Sequence, residues 1–196
     1  VWGAVARRPA GTLAARAGVL GCTSGEGRLD EGADPGGLVG SVEELQKTVN
    51  VMRPGYAKFV EEKYGLKLLS FGTYQAQVIY CRDAFASIAD LKGRKVRASG
   101  ASQQAFVSYL GGSPVSLAFP EVQGALSSGV VDCAITGALS GYRAKWYEAA
   151  KFISPMPINF CLMAYLANLK WLNSLDTKVQ KFLESLLRQL EDSIFE

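Results

Sequence analysis

Between residues 94 and 135 the chain alternates short apolar runs with helical segments, and this alternation constrains the fold more than any other feature. Residues 94–97 read as a strand, and 101–110 as a helix stopped by Gly111 and Gly112. Residues 114–117 form a second strand. The next helix has Pro120 at its first position, Glu121 in its first turn and Gly129 just past its end. Residues 130–135 are the third strand. Strand–helix–strand–helix–strand with short loops is the βαβαβ signature of a parallel sheet covered on both faces. The near-continuous apolar text of Val130, Val131, Ala134 and Ile135 suits a strand buried on both sides. The expected fold class is therefore α/β, with mostly parallel sheets.

The flanks are less regular but still legible. Ser41 is placed to cap a helix carrying Glu43 and Glu44 in its first turn and Val42, Leu45 and Val49 on one face. That helix is expected to end before Pro54, restart, and stop at Gly65. Residues 66–71 and 77–81 read as strands, and 87–91 as a short helical turn. Residues 159–166 are a strongly apolar strand candidate. Leu175 and Asp176 open a long amphipathic helix with Val179, Phe182, Leu183, Leu186, Leu187, Leu190 and Ile194 at helical spacing. Residues 1–37 differ. From Arg7 to Gly37 the text is rich in Ala, Gly and Arg and has no sustained period, so loose packing is expected there. Val19-Leu20-Gly21-Cys22 loosely resembles a lipoprotein cleavage box, but the apolar run before Cys22 is too short for a signal peptide.

Composition then excludes chemistry. A length of 196 residues with 48% hydrophobic content can build a core without staples. The net charge of +3 is too mild, and its cations too scattered, for a nucleic-acid footprint. The chain has no histidine, which removes His-based triads, imidazole general bases and most zinc sites. There is also no G-x-S-x-G, no P-loop and no acidic metal cluster, so an enzyme lacks machinery and no cofactor or metal is expected. Cys22, Cys81, Cys133 and Cys161 are far apart in sequence. Cys81, Cys133 and Cys161 each lie in an apolar run, and these three are expected to be buried thiols.

What remains is a binding site. In open parallel sheets, ligands sit beyond the carboxyl ends of the strands. Arg97 ends the first strand of the alternation, and its guanidinium can grip a carboxylate through two parallel hydrogen bonds. Ser99, Gly100 and the start of the following helix offer polar groups to an anion. Phe119 ends the second strand and Thr136 follows the third. Each has a plainer reading. Arg97 could pair with Asp132, Phe119 could be core, Thr136 could cap a helix, and Trp146, Tyr147 and Phe152 could be packing.

The same residues resemble the periplasmic solute-binding receptors of the TRAP (tripartite ATP-independent periplasmic) transporters, the dicarboxylate-receptor or DctP-like family. The matching text is SIADLKGRKVR at 87–97, GGSPVSLAFPEVQGALSSGVVDCAITGALSG at 111–141, AKWYE at 144–148 and the long helix after Trp171. The resemblance spans residues 38–196. It implies a periplasmic-binding-protein-like (type II) two-lobed fold. One lobe would be 77–162 and the partial other lobe 38–76 plus 163–196, with its N-terminal part missing and residues 1–37 unassigned. It also implies a periplasmic receptor that takes a small organic acid and passes it to TRAP-type permease subunits. Arg97 would hold the ligand carboxylate and Phe119 would line the pocket. Thr136 stands where the family often has asparagine. Ser99, Gly100, Gln77, Trp146, Asn159 and Phe160 complete the expected ligand-binding set. Some sugar-acid members carry a second basic residue near the position of Ala76 and Gln77; its lack here speaks against such a ligand. The aromatic residues Phe119, Tyr142, Trp146 and Phe160 lean toward an apolar or aromatic acid. An incomplete first lobe further implies a half-open pocket and poor affinity. The competing reading, the effector-binding domain of a transcription regulator, would need a helix-turn-helix that residues 1–37 do not supply.

Overall fold

The computed structural model describes residues 15–19, 34 and 36–196. Along the chain run β1 (Ala15–Val19), α1 (Val42–Tyr64), β2 (Leu66–Thr73), β3 (Gln77–Cys81), β4 (Lys95–Arg97), α2 (Ala101–Tyr109) and β5 (Ser113–Val115). They are followed by α3 (Val122–Ser128), β6 (Cys133–Gly137), α4 (Ala138–Arg143), β7 (Phe152–Ile153), β8 (Leu162–Asn168), α5 (Leu169–Asn173) and α6 (Thr177–Phe195). The described residues form two compact units. One contains Ser41–Thr73 and Leu162–Glu196 together with β1, and the other contains Asp34–Gly40 and Tyr74–Cys161.

The first unit is a three-stranded antiparallel sheet, order β1-β8-β2, with α1 and α6 packed on β2. Ser41 Oγ accepts the Glu44 N–H at 3.2 Å, and Gly65 closes α1 at φ 64°, where a side chain would be strained. The helix does not break at Pro54 as expected; Pro54 lies inside one continuous helix. Proline removes one backbone bond there, but Leu45, Val49, Tyr56 and Val60 are buried on both sides of it. Packing of both halves outweighs the local defect. In α6, Leu183 and Leu187 pack toward Leu69, Ala167 and Leu172. Val179, Phe182, Leu186 and Leu190 stay exposed, so the apolar positions of this helix cover more than the buried stripe. Where 1–37 was expected to be loose, 15–19 pairs antiparallel with β8. A strand added to a sheet edge is held by main-chain hydrogen bonds and needs no side-chain period. The Leu20-Gly21-Cys22 part of the possible cleavage box lies outside the described residues.

The second unit carries the alternation read from sequence. Its sheet has the order β5-β4-β6-β3-β7, with β4 parallel to both β5 and β6. Strands β3 and β7 extend it in antiparallel fashion, making the sheet mixed. Cores form on both faces: Ile79, Leu91, Val96, Val107, Ile135 and Ile158 on one, Val78, Val122, Leu126, Val131, Ala134 and Trp146 on the other. The third strand begins at Cys133 and not at Val130, which is 53% exposed. Gly129 turns the chain at φ 77°. Asp132 then bonds Lys95 twice, N–H to Lys95 O and carboxylate from Lys95 N–H, each at 2.8 Å. Residues 130–132 are thus committed to reaching the start of β4.

The cysteine expectation fails for two residues. Cys81 and Cys133 face each other across β3 and β6, with Cα atoms 4.1 Å apart, and form a disulfide. They are 52 residues apart in sequence, and only the strand register brings them together. Cys161 is partly buried, at φ 55°.

Candidate ligand site at the strand ends

Arg97 is 5% exposed at the end of β4. Its Nε donates to Leu117 O at 3.2 Å and an amino group donates to Ile135 O at 3.1 Å. These acceptors lie just beyond β5 and within β6, so the neighbouring chains on both sides of β4 orient the guanidinium. Asp132, the possible structural partner, is instead engaged with the Lys95 amide.

The same two carbonyls bring the other strand-end residues close in sequence to Arg97's bonds. Phe119 is two residues past Leu117, in a short 3-10 turn, and is 39% exposed, so it is not core. Its ring lies 5.3 Å from that of Trp146, which in turn meets Tyr80 edge-on at 5.7 Å. Trp146 is fully buried: it backs Phe119 and offers no exposed face of its own. Its indole Nε1 has no hydrogen-bond partner among the described residues. The Tyr80 hydroxyl donates to Ala138 O at 2.8 Å, and burial pushes the phenol pKa up, which keeps it a donor. Gly141 makes this stack possible, because a Cβ there would lie 2.6 Å from the Tyr80 ring. Thr136 follows Ile135 inside β6, buried opposite Val78. It does not cap the following helix, whose N-cap is Gly137.

The remaining candidates belong to one hydrogen-bonded chain. Ser99 donates its N–H and its hydroxyl to Gln103 Oε1, both at 2.9 Å. Gln103 Nε2 donates to Asn159 Oδ1 at 3.0 Å, and Asn159 Nδ2 to Asp34 Oδ2 at 3.3 Å. The Phe160 N–H reaches both Asp34 oxygens, at 2.9 and 3.1 Å. Asn159 also bridges β3, its carbonyl accepting the Gln77 N–H at 2.7 Å. The Gln77 amide group donates to Gln75 O at 2.9 Å. Gly100 is the buried N-cap of α2.

Sequence reasoning missed Gln103, Asp34 and Gln75. Gln103 left a signal, as a polar residue on the stripe of α2 that buries Val107. Asp34, in a Gly-rich stretch, left none. Gln75 ties the first turn of α4 by accepting the Leu139 N–H at 2.8 Å. No group of three or more His, Cys, Asp or Glu residues able to hold a metal is found among the described residues, and no described helix is long and apolar enough to cross a membrane.

The profile of the bacterial extracellular solute-binding proteins, family 7 (DctP), matches residues 40–195. The chain belongs to that family. Solved structures of similar fold are solute receptors. DctP7 of Bordetella pertussis, an extracytoplasmic receptor binding pyroglutamic acid, has a TM-score of 0.85 and 24% identity, over 94% of this chain and 61% of its own. A TRAP periplasmic solute-binding protein of Desulfovibrio salexigens with bound orotic acid has a TM-score of 0.82 at 20% identity, over 94% and 60%. One of Desulfovibrio desulfuricans with bound sn-glycerol-3-phosphate has a TM-score of 0.85 at 21% identity, over 100% and 63%. This DctP-family chain thus spans about three fifths of the length of those receptors. The likeness establishes the type II periplasmic-binding-protein fold of the TRAP receptors. Family and neighbours are receptors and not enzymes.

Proposed function

We propose that this chain is the ligand-binding part of an extracytoplasmic receptor that takes a small organic carboxylate through Arg97 and delivers it to a TRAP-type membrane permease. The two compact units would correspond to the two receptor lobes. One observation carries the reading: Arg97 is buried at a strand end and held in plane by the carbonyls of Leu117 and Ile135, with the half-exposed ring of Phe119 nearby in the chain. Relatives described with pyroglutamic and orotic acid support a carboxylate as the ligand class.

The direct contacts we assign are Arg97 for the carboxylate, Phe119 for an apolar face, and Ser99 for a polar substituent. Trp146, Asn159, Phe160 and Gln77 hold the surrounding structure. A micromolar ligand needs about −8 kcal/mol. Charge-assisted hydrogen bonds contribute about 1.5–3 kcal/mol each, and burial of apolar ligand surface supplies about 25 cal/mol/Å².

Ligand-observed NMR with the full chain and a panel of organic acids at millimolar concentration tests this. We expect saturable binding of at least one acid. Arg97→Ala should weaken it by about two orders of magnitude, with Arg97→Lys intermediate because a point charge replaces a fork. Undiminished binding by Arg97→Ala, or unfolding of both variants, would make Arg97 a structural residue.

A further inference from the structure

We propose that Ser99 presents the ligand with a hydrogen-bond acceptor only, so the preferred acid carries a donor, a hydroxyl or an N–H, beside its carboxylate. The inference rests on the receptor reading above and narrows its ligand class.

It follows from the polarity of the chain Ser99–Gln103–Asn159–Asp34. The Ser99 backbone N–H can only donate, so the Gln103 atom facing it at 2.9 Å must be the amide oxygen. The amide nitrogen of Gln103 therefore faces Asn159, which must answer with its own oxygen. That turns the Asn159 amino group toward the Asp34 carboxylate. The far end is equally fixed, since the Phe160 N–H also donates to Asp34. Neither amide can flip without setting donor against donor at Ser99 or oxygen against carboxylate at Asp34. Gln103, Asn159 and Asp34 are buried, so water does not relax this constraint.

The consequence falls on the Ser99 hydroxyl. It lies 2.9 Å from the same Gln103 oxygen and has one hydrogen, which that oxygen takes. Only lone pairs remain for anything else that approaches Ser99, which is partly exposed. Two residues after Arg97, this side chain would repel a second carboxylate oxygen and accept from a neighbouring O–H or N–H. A 2-hydroxy acid or a lactam acid meets both demands; an unsubstituted acid of the same shape meets one.

Matched pairs test this: lactate against propionate, and pyroglutamate against 3-oxocyclopentanecarboxylate, in which a methylene replaces the lactam N–H. Binding to the full chain is followed by ligand-observed NMR. The donor-bearing member of each pair should bind about tenfold tighter or more, since a site that pairs a polar group discriminates against its loss. Ser99→Ala should bring each ratio within about twofold while binding stays dependent on Arg97. Equal affinities within the pairs, or ratios untouched by Ser99→Ala, overturn the inference and leave the receptor reading standing. If neither pair binds while another acid of the panel does, the inference falls alone; if no acid of the panel binds, the receptor reading falls and takes the inference with it. Amide hydrogen exchange supplies a ligand-independent check. Exchange at Ser99 should be slow and should accelerate in Gln103→Leu; fast exchange in the unaltered chain overturns the inference whatever binds.

Discussion

Each unit anchors an arginine, Arg53 partly exposed and Arg97 buried, and the anchors differ in kind. In the first unit, Arg53 of α1 pairs with Glu191 of α6, and the other carboxylate oxygen accepts the Phe71 N–H at 2.9 Å. The Arg53 guanidinium also lies 5.1 Å from the centre of the Phe71 ring. One ion pair thus joins two helices to a strand next to the bulge in β2, where the register shifts between Leu68 and Ser70. In the second unit, main-chain carbonyls on either side of β4 hold Arg97. The ion pair welds two helices to a strand, and the carbonyls of Leu117 and Ile135 set the direction of the Arg97 guanidinium. The covalent staple lies in the second unit: Cys81–Cys133 ties β3 to β6, the strand that contributes Ile135 to Arg97.

The largest test of this contrast is reduction of the disulfide, or Cys81→Ala with Cys133→Ala. Closing a loop of this length stabilises a domain by about 2–4 kcal/mol. Denaturant unfolding read at Trp146, with Trp2 and Trp171 replaced by Phe, should show that loss in the second unit. If Trp171, read alone in the same way, reports an equal loss, the two units share one transition and the contrast breaks. Next in size is Gly141→Ala. Its methyl would sit within 3 Å of three Tyr80 ring and hydroxyl atoms, and overpacking of this kind costs about 1–3 kcal/mol. The Tyr80–Trp146–Phe119 stack would shift with it, so near-UV dichroism should change as well.

Glu191→Gln ranks third. Breaking a fully buried pair costs about 3–5 kcal/mol, but the Arg53 side chain is 30% exposed, which reduces the expected loss to about 1–2 kcal/mol. The melting temperature should fall while acid binding is unaltered. A change in binding would show that the two arginines are not independent.

The smallest effect concerns Asp90. The Ala86 and Ser87 amides donate to its carboxylate and hold its pKa below the ordinary aspartate range. A depressed folded pKa adds stability that is present at neutral pH and lost as pH falls through the lowered value. Asp90→Asn should therefore lower the melting temperature slightly at neutral pH and remove part of its acid dependence. An unchanged acid profile would mean that the cap contributes nothing.

Much of this was legible in the text. Residues 94–129 announced their strands and helices because Gly111, Pro120 and Gly129 punctuate them by backbone sterics alone. Ser41, Gly65 and Asp176 marked helix ends for the same local reason. Errors arose where distant packing overrode local preference. Pro54 sits inside a helix because the faces beside it are buried, and Val130 falls outside its strand because Asp132 bonds across to Lys95. The site divides in the same way. Arg97 and Phe119 stood out as residue types at strand ends, whereas the roles of Ser99, Asn159 and Phe160 depend on Gln103, 56 residues from Asn159, and on Asp34, 125 and 126 residues from Asn159 and Phe160.

By itself the sequence determined the α/β class and the order of most elements from Ser41 onward, and it marked Arg97 as a strand-end cation, because turn sterics, side-chain periodicity and formal charge are properties of neighbouring residues. Only the tertiary structure decided that Cys81 meets Cys133, that Leu117 and Ile135 aim Arg97, and which way the proton of Ser99 points. Those outcomes depend on strand register and on the direction of hydrogen bonds between segments far apart in the chain, and neither is encoded in any short stretch of residues.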